Sequence, residues 1–197
     1  MKSILRLLPA LALVAAVSSA RADDITDSIE AGKTAYEAGN YSEAITSFDF
    51  ATQLIRQKKG AELKNYLPDA PKGWEAGEAQ LETASGSVFG GGITASRSYT
   101  RDSKSVTIKI QSDSPLLQAT MMVFDNSALM SGGSGMEQGV IKGQKVIIAF
   151  ESGATNGDIK AVVDRHYLVE ISGNSVTKDD LMLLAKAFDY AKLAKMK

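Results

Sequence analysis

The chain has no cysteine in its 197 residues. It can therefore form no disulfide, no thiolate metal site and no cysteine nucleophile, and burial alone must hold it together. Histidine occurs once, at His166. A single imidazole, read as lying in a strand near Asp164 and Arg165, builds neither a His-rich metal site nor a serine–histidine pair with an identifiable acid. No Asp-x-Asp-x-Asp-Gly loop is present for calcium, and no Gly-x-Ser-x-Gly elbow for a serine nucleophile. The glycine runs Gly90-Gly91-Gly92 and Gly132-Gly133-Ser134-Gly135 lack the Gly-Lys-Ser/Thr ending and following helix of a phosphate cradle. They read as flexible turns, with closure over a ligand as the sharper alternative. Charge of one sign is also missing, with 22 Lys+Arg against 23 Asp+Glu. Sequence-independent nucleic-acid binding, which needs a positive field, is excluded on that ground.

What is present begins with a secretory signal over residues 1–22. Lys2 and Arg6 supply the positive start, Leu7 to Val17 is too short to span a bilayer comfortably, and Ala20-Arg21-Ala22 is a small-x-small cleavage site. Cleavage near Ala22 gives a periplasmic or secreted chain starting at Asp23. Three bases leave with the signal, so 19 bases face 23 acids and the net charge becomes −4. No later apolar run reaches membrane-spanning length, so no membrane insertion is expected after cleavage.

Residues 23–66 read as a helical hairpin. Ile25, Ile29, Gly32, Ala35 and Tyr36 recur at three- and four-residue steps. Gly39-Asn40 stops the first helix, and Ser42 is the expected cap of the second. Ala44, Ile45, Phe48, Ala51, Leu54 and Ile55 form its expected buried face, with Tyr41 and Phe48 filling the space between the helices. Gly60 is expected to weaken the second helix by about 1 kcal/mol. The basic run Arg56, Lys58, Lys59 reads as a solvated face. Pro68 and Pro71 close the helix and open a Pro-rich linker over residues 67–75, ending near Trp74, the single tryptophan and an expected core anchor.

Residues 76–197 change to alternating runs. Ile93 to Arg101 and Val106 to Ile110 read as strands joined at Arg101-Asp102-Ser103-Lys104. Ser114-Pro115 starts a helix with Leu116, Leu117, Met121 and Phe124 inward. Val140–Ile141 and Lys145–Phe150 follow, then a break at Asn156-Gly157 that reads as a hairpin turn. Strands at Ala161–Val163 and Tyr167–Ile171 come next. Thr177 and Asp180 form a capping box for a last helix running to about Lys195, its stripe made by Leu181, Leu184, Ala185, Phe188 and Leu193. The fold class is α+β: a helical hairpin followed by a mostly antiparallel sheet packed by two helices. Asp113, Asp125 and Asp158 read as turn residues.

Gly32, Tyr36, Gly39, Tyr41, Ala44, Phe48 and Ala51 fall at the spacings of a tetratricopeptide (TPR) unit, which residues 31–51 resemble. The Leu67-Pro68…Gly73-Trp74 entry, the strand Tyr167 to Gly173 and the closing Asp180-Leu181…Ala185…Phe188 helix resemble the PsbP-like α/β sandwich. The whole is similar to a group of small exported proteobacterial proteins of unassigned function. These resemblances imply a binding or accessory module rather than an enzyme, and no cofactor.

One hairpin cannot bury its own stripe, so it must rest on the downstream domain, another subunit or a partner. Tyr36, Tyr41, Phe48 and Phe50 are the candidate hairpin contacts, with Tyr36, Tyr41 and Phe50 taken as partner-binding. Most of the four are expected in the core, while Phe50, two residues from Phe48, should face outward. The partner is another protein or a second copy. The alternative is a small-ligand or soft-metal site in the α/β domain, where Met121, Met122, Met130 and Met136 cluster and thioethers suit Cu(I). Ordinary core and loop packing is the preferred explanation of them.

Overall fold

The computed structural model describes residues 20–83, 92–125 and 136–196. The expected signal core, the Gly90–Gly91 run, the Ser131–Gly135 loop and Met130 lie outside the described residues. The protein is α+β. Its contacts divide it into two compact units, residues 1–54 and 55–197, and the division falls inside a helix rather than at the prolines.

In the first unit, α1 (Ala20–Glu37) is followed by the start of α2 (Tyr41–Leu63). The turn between them follows from Gly39, whose φ of +78° puts it in the left-handed region. Gly39 N–H donates to Tyr36 O, and Asn40 N–H reaches back to Ala35 O at 2.8 Å. This is a Schellman stop. Asn40 O accepts the first bond of α2, from Ala44 N–H, so the capping position is Asn40, two residues before the expected Ser42. The interior is narrow: Ala35, Ala44 and Ala51 are buried. Ile45 is 62% exposed and Tyr41 64%, which corrects their placement inside the hairpin. Two helices meeting at alanines share one thin line of contact, and side chains a third of a turn away remain outside it.

In the second unit, α2 continues without a break through Gly60. The expected weak point is a close approach instead: a Cβ there would press on the Leu81 side chain and lie 3.1 Å from Ile93 Cγ2. Leu63 and Leu67, joined by a 3-10 turn at Lys64–Tyr66, sink into the core below. The sheet contains β1 (Glu75–Ala76), β2 (Gln80–Thr83), β3 (Ile93–Arg101), β4 (Lys104–Ser112), β5 (Met136–Ile141), β6 (Gln144–Ala149), β7 (Gly157–Val163) and β8 (Tyr167–Asn174). Every described pairing is antiparallel, in the order β1-β3-β4-β8-β7-β6-β5, with β2 also on β3. Val106, Ile108 and Ile110 of β4 register with Tyr99, Arg97 and Ala95 of β3, and with Gly173, Ile171 and Val169 of β8.

That face is the main core. It is closed by Leu63, Leu67, Trp74, α4 (Lys178–Ala187) and α5 (Tyr190–Leu193). The last helix is thus two: Phe188 leaves helical geometry with ψ of 139°, and Asp189 caps α5 by accepting from Lys192 N–H. The opposite face of β4 carries Ser105, Thr107, Lys109 and Gln111 between the core positions. The sheet is covered at one end by α3 (Pro115–Asp125), which lies against β7 and β8. Leu117 is buried there, but Leu116 is 44% exposed and is not part of the inward stripe. The Asn156-Gly157 pair does not make a tight hairpin: β6 and β7 pair from Ala149↔Asp158, leaving residues 150–156 as the connection.

Candidate functional site: the exposed face of the helical hairpin

The residues of the first unit are arranged inside out for a self-contained body. Its small side chains are buried and its large ones exposed. Among the described residues, eleven large hydrophobic side chains are exposed, and six of them (Ile29, Tyr36, Tyr41, Ile45, Phe48 and Phe50) lie between residues 24 and 54. Such concentration marks an interaction surface more strongly than scattered exposed leucines would.

Helical geometry sorts these six. Ile29 and Tyr36 are seven residues apart and share a face of α1, with Gly32 between them. Tyr41, Ile45 and Phe48 follow at steps of four and three on α2. The two stripes meet. The Tyr36 and Tyr41 rings have centroids 5.9 Å apart, tilted by 56°. Phe48 lies against Gly32, where a Cβ would come 2.7 Å from Cε1 of the ring. Glycine is thus required for the ring to bridge the helices, and Phe48 remains 40% exposed. The result is one contiguous exposed apolar face made by Ile29, Tyr36, Tyr41, Ile45 and Phe48, with Phe48 seated on Gly32.

Phe50 is 52% exposed. Two residues beyond Phe48, it projects about 200° around α2 and belongs to the other flank. Tyr36 and Tyr41 are therefore brought together, and Phe50 is not brought to them. Ile29 and Ile45 complete the exposed face, although helical periodicity alone assigns Ile45 to the core. The signal that finds it is that the hairpin interior needs only its alanines.

Charge is equally segregated. Seven acids lie between Asp23 and Asp49, against the single base Lys33, which makes residues 23–54 net −6. Residues 55–197 hold 18 bases and 16 acids. Glu30 and Glu37, one residue beyond Ile29 and Tyr36, are exposed, as is Asp49, one turn beyond Ile45.

In the second unit several charged residues are engaged in structure. Asp180 is 7% exposed at its side chain and pairs with Arg101 and with Lys104, the latter at 2.7 Å. It also accepts from Thr177 N–H at 3.0 Å and from Thr177 Oγ1 at 2.9 Å, completing the capping box. Burial pushes its carboxyl up. The Lys104 and Thr177 hydrogen bonds and the Arg101 charge outweigh that and hold it well below the usual carboxylate range. Arg101 lies over the buried Trp74 ring at 4.7 Å from its centroid, so Trp74 is anchored in the core with its face occupied. Burial pushes the Tyr99 phenol up to about 12, and its hydroxyl donates to Pro68 O at 2.7 Å.

The remaining sequence candidates disperse. His166 is not within a strand. It is a largely exposed residue of the β7–β8 turn, beside Asp164 and Arg165, both at positive φ. Asp158 lies within β7 and pairs with Lys160 at 2.9 Å. Asp113 occupies a turn at φ 56° and pairs with Lys59 at 2.7 Å. Met122 is 69% exposed on α3, Met121 lines a cleft of about 280 Å³ with Phe124, Gln144 and Lys145, and Met136 begins β5. Among the described residues no group of three His, Asp or Glu side chains could hold a metal ion, and no helix is long and apolar enough to cross a membrane.

No family model, curated protein or solved structure matches this chain.

Proposed function

We propose that this is an exported, non-enzymatic accessory protein that works by protein–protein contact through its helical hairpin. One observation carries the reading: residues 24–54 bury Ala35, Ala44 and Ala51 while exposing Tyr36, Tyr41, Ile45, Phe48 and Phe50. Water-exposed apolar area of that kind is retained where another surface covers it. The TPR-like spacing over residues 31–51 and the PsbP-like pattern downstream support a binding role. The Leu7–Val17 run and Ala20-Arg21-Ala22 support export. Asp180, Arg101 and Trp74 engage one another, a structural use of groups that a catalytic site would present to substrate.

The test is a crosslinked pull-down from intact periplasm with wild type and Tyr36→Ser/Ile45→Ser. The double variant is expected to keep its melting temperature and lose the crosslinked species. Retention of the same species at the same yield would remove the hairpin from the interaction.

A second reading has one observation in its favour. The cleft beside Met121 and Phe124, at about 280 Å³, is close to small-molecule size. Calorimetry and metal analysis of freshly purified protein decide it: co-purified copper that is lost on changing Met121 and Met130 would establish the soft-metal alternative.

A further inference from the structure

We infer that the occupant of the Tyr36–Tyr41–Ile45 face is a cationic amphipathic helix supplied by a different polypeptide. This rests on the docking role proposed for the hairpin and adds the chemistry of what docks.

Charge points to the sign of the occupant. This face sits on a segment of net −6, while the rest of the mature chain is net +2. Asp49 lies one turn beyond Ile45 on α2, and Glu30 and Glu37 lie about 100° around α1 from Ile29 and Tyr36, flanking the exposed base Lys33; the border of the face therefore holds three exposed acids against one base. A charge at the rim of an apolar contact selects the sign of its partner and speeds its arrival. A hairpin from a second copy would bring −6 against −6, and an anionic bilayer or nucleic acid would be repelled in the same way.

Shape points to a helix. Ile29–Tyr36 and Tyr41–Ile45–Phe48 repeat at the steps by which one helix packs on another, and Phe48, seated on Gly32, joins the two stripes into one apolar face. A helix laid across two helices presents one apolar stripe to such a face and its flanks to the charged border. The complementary ligand therefore carries leucine-like residues along the stripe and Lys or Arg beside it.

The probes are three synthetic peptides of about 18 residues, long enough for roughly five helical turns. One is a Leu/Lys amphipathic helix, one its Leu/Glu twin, and one a Leu/Lys peptide with scrambled periodicity. Binding to the purified protein is read by fluorescence anisotropy. The Leu/Lys helix is expected to bind at least about tenfold tighter than either control, and to weaken about tenfold or more when salt is raised from roughly 0.05 to 0.5 M. Glu37→Lys/Asp49→Lys should weaken it about fivefold or more, whereas Glu151→Lys, a charge reversal in the other unit, should leave it unchanged. Equal binding of the Leu/Glu twin, indifference to Glu37→Lys/Asp49→Lys, or a homodimer abolished by Ile45→Ser would each overturn the inference. If the peptides show no preference while Tyr36→Ser/Ile45→Ser still loses its crosslinked species, the cationic-helix chemistry fails and the docking role stands. If neither effect appears, both fall.

Discussion

Asp180 shows how one residue ties an element to the sheet. Its carboxylate caps α4 through Thr177 and holds Arg101 and Lys104 from the β3–β4 hairpin. Asp180→Asn keeps the shape but leaves two cations without their counter-charge. Because both are about 30% exposed and can hydrate, the cost should be about 2–3 kcal/mol rather than that of a fully buried pair. A melting temperature lower by roughly 5–10 °C is the expected outcome. The pH dependence follows from the depressed carboxyl. The folded state holds the proton more weakly than the unfolded chain, whose aspartate titrates near about 3.9. The stabilisation is therefore complete above that value and disappears as the pH falls toward the folded one. Denaturant melts of wild type and Asp180→Asn should converge on acidification; a gap that stays constant from neutral pH to about pH 3 would contradict this. Phe50→Ala belongs at the same scale. A 52% exposed ring supports little of the fold, so its loss should move the melting temperature by no more than about 1–2 °C while weakening association. A large drop would mean that the ring is covered within the protein.

The hairpin is the element on which the functional reading depends, and Gly39 sets its geometry. With φ at +78° and no atom within 4 Å of where a methyl group would stand, Gly39→Ala meets conformational strain without a clash. The expected cost is about 1 kcal/mol. Hydrogen exchange should show the Gly39 and Asn40 amides opening roughly fivefold more often while the β4 and β8 amides are unchanged; uniform change would place the turn in the global folding unit. Elements with a single strong periodicity are legible in the sequence. Val106, Ile108 and Ile110 alternate against Thr107, Lys109 and Gln111, and β3 runs from Ile93 to Arg101 as its pattern indicates. The capping box of α4 is legible because Thr177 and Asp180 have a specific local mechanism. β1 and β2 are not, since two- and four-residue strands paired to β3 carry too few residues to show a period. The hairpin face escapes a local reading for a different reason. Tyr41, Ile45 and Phe48 keep helical spacing, but spacing only says that they share a side. Whether that side is covered depends on how many helices are present, which no local pattern records.

At the scale of the whole molecule, polarity and charge are divided along the chain. Residues 23–54 combine net −6 with the exposed aromatic face, and the second unit builds its core on one face of an antiparallel sheet. Without cysteine, each unit depends on burial, and the first buries mainly alanine. A covering partner should therefore stabilise residues 24–54 selectively. The most direct measurement places a photoreactive residue, one position at a time, at Ile45, at Phe50 and at Lys142 and irradiates intact cells. A discrete adduct with another polypeptide is expected from Ile45, suppressed by Glu37→Lys/Asp49→Lys, and none from Lys142. Adducts from Lys142 with Ile45 silent would show that the working surface lies elsewhere.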